Sequence, residues 1–249
     1  MAAAATSELQ PALWTAASWG KALEVKRLLG EGAAINETGG PMDCSPLQVA
    51  AQKGHEKVML ALLEYKADVS AKSFDGRTSL HEAAFKGHET LVKLLLKHGA
   101  SVSSKANNGA TPLHWAALGD QKAIVLLLID KGAEVSATDN DGRTPLHAAS
   151  GKGYANVAWV LLQNGAKVTA IDNAGKTPLN WATALGQESV ASLLLANGAD
   201  RDSSRNALAR LTRPWRLGKA MPLRNKTPAP APGPWRTVTG KIDAKPKGP

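Results

Sequence analysis

The sequence predicts a mostly α-helical solenoid, an α-solenoid of stacked helix-turn-helix units with β-hairpin connections, followed by a disordered C-terminal tail. Three observations point there. A four-residue motif recurs every 33 residues, glycines recur at the same step, and the charge balance changes abruptly near residue 204.

The motif reads Ser45-Pro46-Leu47-Gln48, Thr78-Ser79-Leu80-His81, Thr111-Pro112-Leu113-His114, Thr144-Pro145-Leu146-His147 and Thr177-Pro178-Leu179-Asn180. Gly99, Gly132, Gly165 and Gly198 keep the same step, as do Asp75-Gly76, Asn108-Gly109 and Asp141-Gly142. A fixed period of this length is the signature of a repeat architecture.

Each unit follows from local physics. A Thr hydroxyl accepts an orphan backbone N–H at a helix start, and proline at the first helical position has no N–H to lose. Leu113, Ala116 and Ala117 then give a short first helix a small apolar face. A turn is expected at Leu118-Gly119-Asp120. The second helix carries Ile124, Val125, Leu127 and Leu128 at helical spacing and ends at Gly132. A polar connection leads to the next Asp-Gly or Asn-Gly pair, which favours a tight turn. One unit cannot bury both helices alone, whereas a stack can.

Thr111-Pro112-Leu113-His114-Trp115-Ala116 and Thr144-Pro145-Leu146-His147-Ala148-Ala149 match the T-P-L-H-x-A pattern in full, and Thr78-Ser79-Leu80-His81-Glu82-Ala83 lacks only the proline. The chain resembles the ankyrin repeat family over residues 7–204, as six repeats. The resemblance implies hairpins at the repeat junctions and a concave binding surface lined by hairpins and inner helices. It also implies a non-enzymatic scaffold, adaptor or inhibitor. Transcription regulation and ubiquitin-ligase substrate recruitment are further family roles.

Departures from the pattern are expected to mark ends and irregular turns. Residues 7–40 form an atypical first repeat around Leu13-Trp14-Thr15-Ala16-Ala17, with one extra residue near Gly39-Gly40-Pro41. Lys66 stands where other repeats have glycine, so either it turns left-handed or its helix ends differently. Gly119 comes one residue earlier than Gly87, Gly153 and Gly186. Arg201 replaces the apolar residue of Val69, Val102, Val135 and Val168, which argues that no seventh unit stacks on top.

Chemistry is sparse. His81, His114 and His147 share a register with Gln48 and Asn180, which asks for a side-chain hydrogen bonder rather than an imidazole. Stacked helices about 8–10 Å apart place successive imidazoles poorly for one metal ion. His55 and His88, in the turns, read the same way. No nucleophile elbow, phosphate loop, zinc-protease or dinucleotide motif occurs. Catalytic, cofactor and metal residues are therefore not expected. Cys44, the single cysteine, excludes an intrachain disulfide and precedes a helix start, where a thiolate gains some stabilisation. No general base for it is evident.

Partner binding is expected at the hairpin tips (Phe74, Asp75, Arg77, Asn107, Asn108, Asn140, Asp141 and Arg143) and on the inner helices and turns (Phe85, Lys86, Trp115, Leu118 and Lys152). Aromatic and Arg anchors supply most of the affinity of an interface. A competing expectation is that Phe85 and Trp115 pack between repeats. Leu126 and Trp159 share an outer-helix register with Leu60, Lys93 and Ser192, which predicts a secondary apolar patch.

The tail holds the excess charge. Residues 1–204 carry 19 Lys/Arg and 20 Asp/Glu, whereas residues 205–249 carry 11 Lys/Arg, one acid (Asp243) and 8 of the 14 prolines. A short helix is expected over Asn206–Leu217, with Leu208 and Leu211 on the last repeat. Thr227–Pro234 is expected to be extended or disordered. Pro214-Trp215-Arg216 and Pro234-Trp235-Arg236 repeat one triplet, and those Trp and Arg residues are docking candidates. The tail's charge would also suit nucleic acid or acidic lipid. The longest apolar run, Ala123–Ile129, is far short of the roughly 20 residues a membrane helix needs. An intracellular monomer, cytoplasmic or nuclear, is expected.

Overall fold

The computed structural model describes residues 2–40 and 43–200, with side chains placed at Leu9 and from Pro11 onward. Twelve helices form six pairs among the described residues. They are α1 (Ala2–Ser18), α2 (Ala22–Gly30), α3 (Pro46–Lys53), α4 (Glu56–Glu64), α5 (Ser79–Lys86), α6 (Glu89–Lys97), α7 (Pro112–Leu118), α8 (Lys122–Asp130), α9 (Pro145–Lys152), α10 (Ala155–Gln163), α11 (Pro178–Ala184) and α12 (Glu188–Ala196). The odd-numbered helices stack in one row and the even-numbered helices in a second, each helix touching the next in its row. The α-solenoid expected from the period is the fold.

The stacking follows from side-chain size. Ala50, Ala51, Ala83, Ala84, Ala116, Ala117, Ala148, Ala149 and Ala182 are all buried, so first helices approach closely. Leu47, Leu80, Leu113, Leu146 and Leu179 fill the same place beneath them. Leu28, Leu62, Leu95, Leu128, Leu161 and Leu194 do so in the second row. Each such leucine contributes about 1.5–3 kcal/mol on burial.

The motif makes both a cap and a tether. Thr78, Thr111, Thr144 and Thr177 cap their helices with a reciprocal bond from the residue three positions on, as Ser45 does with Gln48. The imidazoles go further. Nδ1 of His114 accepts from the Thr111 N–H at 3.2 Å, while its Nε2 reaches the Arg143 carbonyl of the next repeat at 3.0 Å. His81 reaches Ala110 and His147 reaches Lys176 in the same way. A carbonyl only accepts, so Nε2 carries the hydrogen and the ring is neutral. Burial accordingly pushes the His81 and His114 pKa values down to about 4 and lowers that of His147. His55 and His88 tether backwards, to the Ser18 and Gln52 carbonyls. His81, His114 and His147 are structural hydrogen bonders, as their shared register with Gln48 and Asn180 implied.

The connections are hairpin-like turns without extended ladders. Ser73, Ala106, Asp139 and Asp172 each donate N–H to the carbonyl four residues on. The one β-bridge among the described residues joins Gly39 and Cys44. Gly76, at φ +76°, serves twice, because a Cβ there would also meet the Asn107 Oδ1 of the next turn at 2.2 Å.

The irregular positions resolve individually. Lys66 does turn left-handed, at φ +63°. In the α7–α8 turn Asp120 takes the left-handed position at φ +58°, and Gly119 is needed because a Cβ there would lie 2.3 Å from the Phe85 carbonyl oxygen. Helix α1 starts well before the expected Leu13–Ala17 segment and runs through Pro11, in keeping with the high helix propensity of its alanines. Burial overrides the expected benefit of a helix start at Cys44 and pushes that thiol up to about 12.

Candidate functional site

The expected contact residues divide once their neighbours are known. At the tips, Asn107 donates its side-chain amide to the Phe74 carbonyl, Asn140 to Asn107 and Asn173 to Asn140, at 2.9–3.0 Å. These asparagines form a ladder that joins successive turns, although their outer faces remain exposed. Asn108 accepts from the Ala110 N–H. Phe74 is 81% exposed and projects from the third-repeat turn.

Two expected anchors are occupied or buried. Arg143 is 9% exposed and pairs with Asp139 at 2.9 Å and with Asp141, so its guanidinium braces its own turn. Leu118 is 5% exposed and is a core residue, which corrects its assignment to the contact surface. It occupies the first-helix register of Phe85, but α7 ends there and the Gly119-Asp120 turn follows directly.

A connected cluster spans repeats three and four. Arg77 pairs with Asp75 at 2.5 Å and with the buried Glu82 at 2.7 Å. Burial raises the Glu82 pKa while Arg77 lowers it. The Arg77 guanidinium also sits 5.0 Å from the centre of the Trp115 ring. Phe85 meets Trp115 edge-on with ring centres 5.5 Å apart, and the Lys86 ammonium lies 5.4 Å from the Phe85 ring. Both rings are half-buried. They therefore pack between repeats and still present an edge, so the two expectations for them are compatible.

Trp115 carries an unmet bond. Its Nε1–H is buried without an acceptor. Trp181, in the same register, donates Nε1–H to Asp172 at 2.9 Å. The position equivalent to Asp172 in the Trp115 repeat is Ala106, which has no acceptor to offer.

Three successive matches to a family model of ankyrin repeats cover residues 4–73, 70–139 and 134–205. The chain belongs to the ankyrin repeat family. A search of curated proteins found no match. Ankyrin repeats are generally protein–protein interaction modules, and proteins built from them are typically non-enzymatic. A protein partner is therefore implied. No helix among the described residues is long and apolar enough to cross a membrane.

Several exposed residues of these ankyrin repeats escape a reading by residue type. Leu185 is exposed in the register of Lys53, Lys86 and Lys152, and Trp19 holds that register once the extra residue of the first repeat is counted. The register alone would have found both. On the second row, Leu60, Leu126 and Trp159 are about half exposed, and Lys122 lies 5.9 Å from the Trp159 ring. The tail candidates Trp215, Arg216, Trp235 and Arg236, the expected helix over residues 206–217 and the boundary near Ser204 lie outside the described residues.

Proposed function

We propose that this ankyrin repeat protein is a non-enzymatic adaptor, scaffold or inhibitor that grips a protein partner along its hairpin tips and inner helices. The observation that carries the reading is the cluster of Arg77, Phe85, Lys86 and Trp115, with the exposed Phe74 on the same turn as Arg77. Arg77 is held by Asp75 and Glu82, and the aromatic edges are held by each other, so the surface is organised before binding. Lys53, Lys86 and Lys152 extend it as a basic row with Trp19 and Leu185 at the ends of the same register.

Residues 1–204 form the recognition domain in this reading, and residues 205–249 add a second, basic contact. Two linked contacts raise avidity about 10²–10⁴-fold when geometry permits both. The test is affinity capture from cell extract with the native chain and with a Phe74→Ala, Phe85→Ala, Lys86→Glu variant. Loss of the same protein from the variant, with its helical content unchanged, supports the reading. Retention of every captured protein sinks it.

The tail's net charge of +10 supports a second reading, association with nucleic acid or acidic membrane. Six phosphate contacts would give a log–log salt slope of roughly −5 on DNA. That slope should vanish when residues 205–249 are removed.

A further inference from the structure

One register crosses the stack at the ends of the first helices. It reads Trp19, Lys53, Lys86, Gly119, Lys152 and Leu185, one residue per repeat, and all but Gly119 are exposed. Among the described residues none of its three lysines is in an ion pair. The lysine pairs that do form, Lys26–Glu64, Lys93–Glu89 and Lys131–Asp130, lie in or beside the second helices. Lys86 instead lies 5.4 Å from the Phe85 ring.

The first helices offer these lysines no carboxylate. Glu82 is the one acid in α3, α5, α7, α9 and α11, and it is buried and paired with Arg77. The acids nearest in sequence are Glu56, Glu89, which Lys93 holds, and the exposed Asp120, which follows Gly119. The row is therefore positive at three repeats and negative at the fourth. Its spacing is held by the turns. His55 donates to the Ser18 carbonyl at 3.0 Å and His88 to the Gln52 carbonyl at 3.4 Å, directly before Trp19 and Lys53. Helices stacked about 8–10 Å apart match every third residue of an extended chain, which advances about 3.3 Å per residue.

We propose that this row binds an extended acidic segment of a partner protein, with one contact residue in every three. Carboxylates meet Lys53, Lys86 and Lys152, and apolar side chains meet Trp19 and Leu185. The residue opposite Gly119 is not acidic, because Asp120 repels a carboxylate there. A nucleic acid strand suits the row less well, since its unbroken phosphates would also face Asp120. The proposal rests on the partner-binding reading and names the partner's chemistry.

The test is fluorescence anisotropy on the full chain with a sixteen-residue peptide. Its contact residues, at every third position, are Leu, Glu, Glu, Ser, Glu and Leu, with Ser between them, and it is made in both chain orders. One order should bind about tenfold more tightly than an isomer with the three Glu adjacent. Lys53→Glu with Lys152→Glu, both exposed, should weaken it about tenfold with helical content unchanged. A fourth Glu in the peptide, opposite Gly119, should weaken it about threefold although the net charge rises. Equal binding of the isomer, unchanged affinity in the variant, or tighter binding of the four-Glu peptide overturns the proposal. Tighter binding of single-stranded DNA that depends on Lys53 and Lys152 would make the row a phosphate site, which equally overturns it. In the extract capture, loss of a protein from the Phe74→Ala, Phe85→Ala, Lys86→Glu variant with its retention by Lys53→Glu, Lys152→Glu would leave the partner-binding reading standing and remove this one alone.

Discussion

His114 reaches the carbonyl of Arg143 across a repeat boundary with its Nε2, at 3.0 Å, while its Nδ1 accepts from Thr111. Both bonds need the neutral ring with hydrogen on Nε2. Protonation puts a second N–H where an acceptor was required, inside a buried site. His81 and His147 stand in the same position, so the protein repeats one pH-sensitive joint three times.

Stability should therefore fall in acid. Burial lowers the folded pKa of His81 and His114 to about 4, against 6.5 for a solvated imidazole in the unfolded chain, so between those values the unfolded chain binds protons that the folded chain excludes. The stabilisation is full above pH 6.5 and is lost as pH falls toward 4. At pH 5 each such histidine costs on the order of 2 kcal/mol. Urea unfolding at pH 7 and pH 5 measures the loss. His114→Gln, which reproduces the bonding of Gln48, should shrink the difference between the two pH values. An unchanged difference would place the acid sensitivity elsewhere.

Ala106→Asp should stabilise the protein by about 1 kcal/mol. It supplies the acceptor that Trp181 finds in Asp172 and that Trp115 lacks. Asp172 also accepts two backbone N–H groups of its own turn, and the new carboxylate has the same geometry open to it. A rise in the urea midpoint that disappears in Trp115→Phe would establish the bond.

Lys66→Gly should stabilise by about 0.5–1 kcal/mol. Relief of a left-handed non-glycine residue is worth about 1–2 kcal/mol, and the greater freedom of glycine in the unfolded chain takes back part of it. Lys66 is exposed, so no packing is lost. A lower thermal midpoint for the variant would show that the lysine side chain contributes more than its backbone costs.

Leu126→Lys with Trp159→Lys should leave the fold intact, within about 1 kcal/mol of the native stability. The two side chains are 44% and 48% exposed, and the clearest loss is the Lys122 contact with Trp159. Circular dichroism and urea unfolding read this directly. Unfolding of the double variant would make them core residues, whereas loss of a captured partner from a folded variant would make them a second contact.

Much of the fold was legible in the sequence because a stacked repeat writes each structural constraint several times. The Thr cap, the proline at the first helical position and the left-handed glycines recur since every unit solves the same local problem. The shared register of Gln48, the three histidines and Asn180 even revealed that the group required was a hydrogen bonder. The contact surface was less legible, because residue type does not say what a side chain already holds. Arg143 reads as an anchor until Asp139 and Asp141 are found around it, and Leu118 reads as surface until its side chain is found buried at the end of α7.

The chain alone therefore determined the repeat, its period, its caps and the uneven charge, all of which depend on neighbours within one unit. Only the tertiary structure decided which polar groups were spent between units. Arg77 bridges Glu82 and the Trp115 ring, and Trp115 is left without the acceptor that Trp181 has. The Arg77–Trp115 contact joins residues about one repeat apart in sequence, and stacking brings them together.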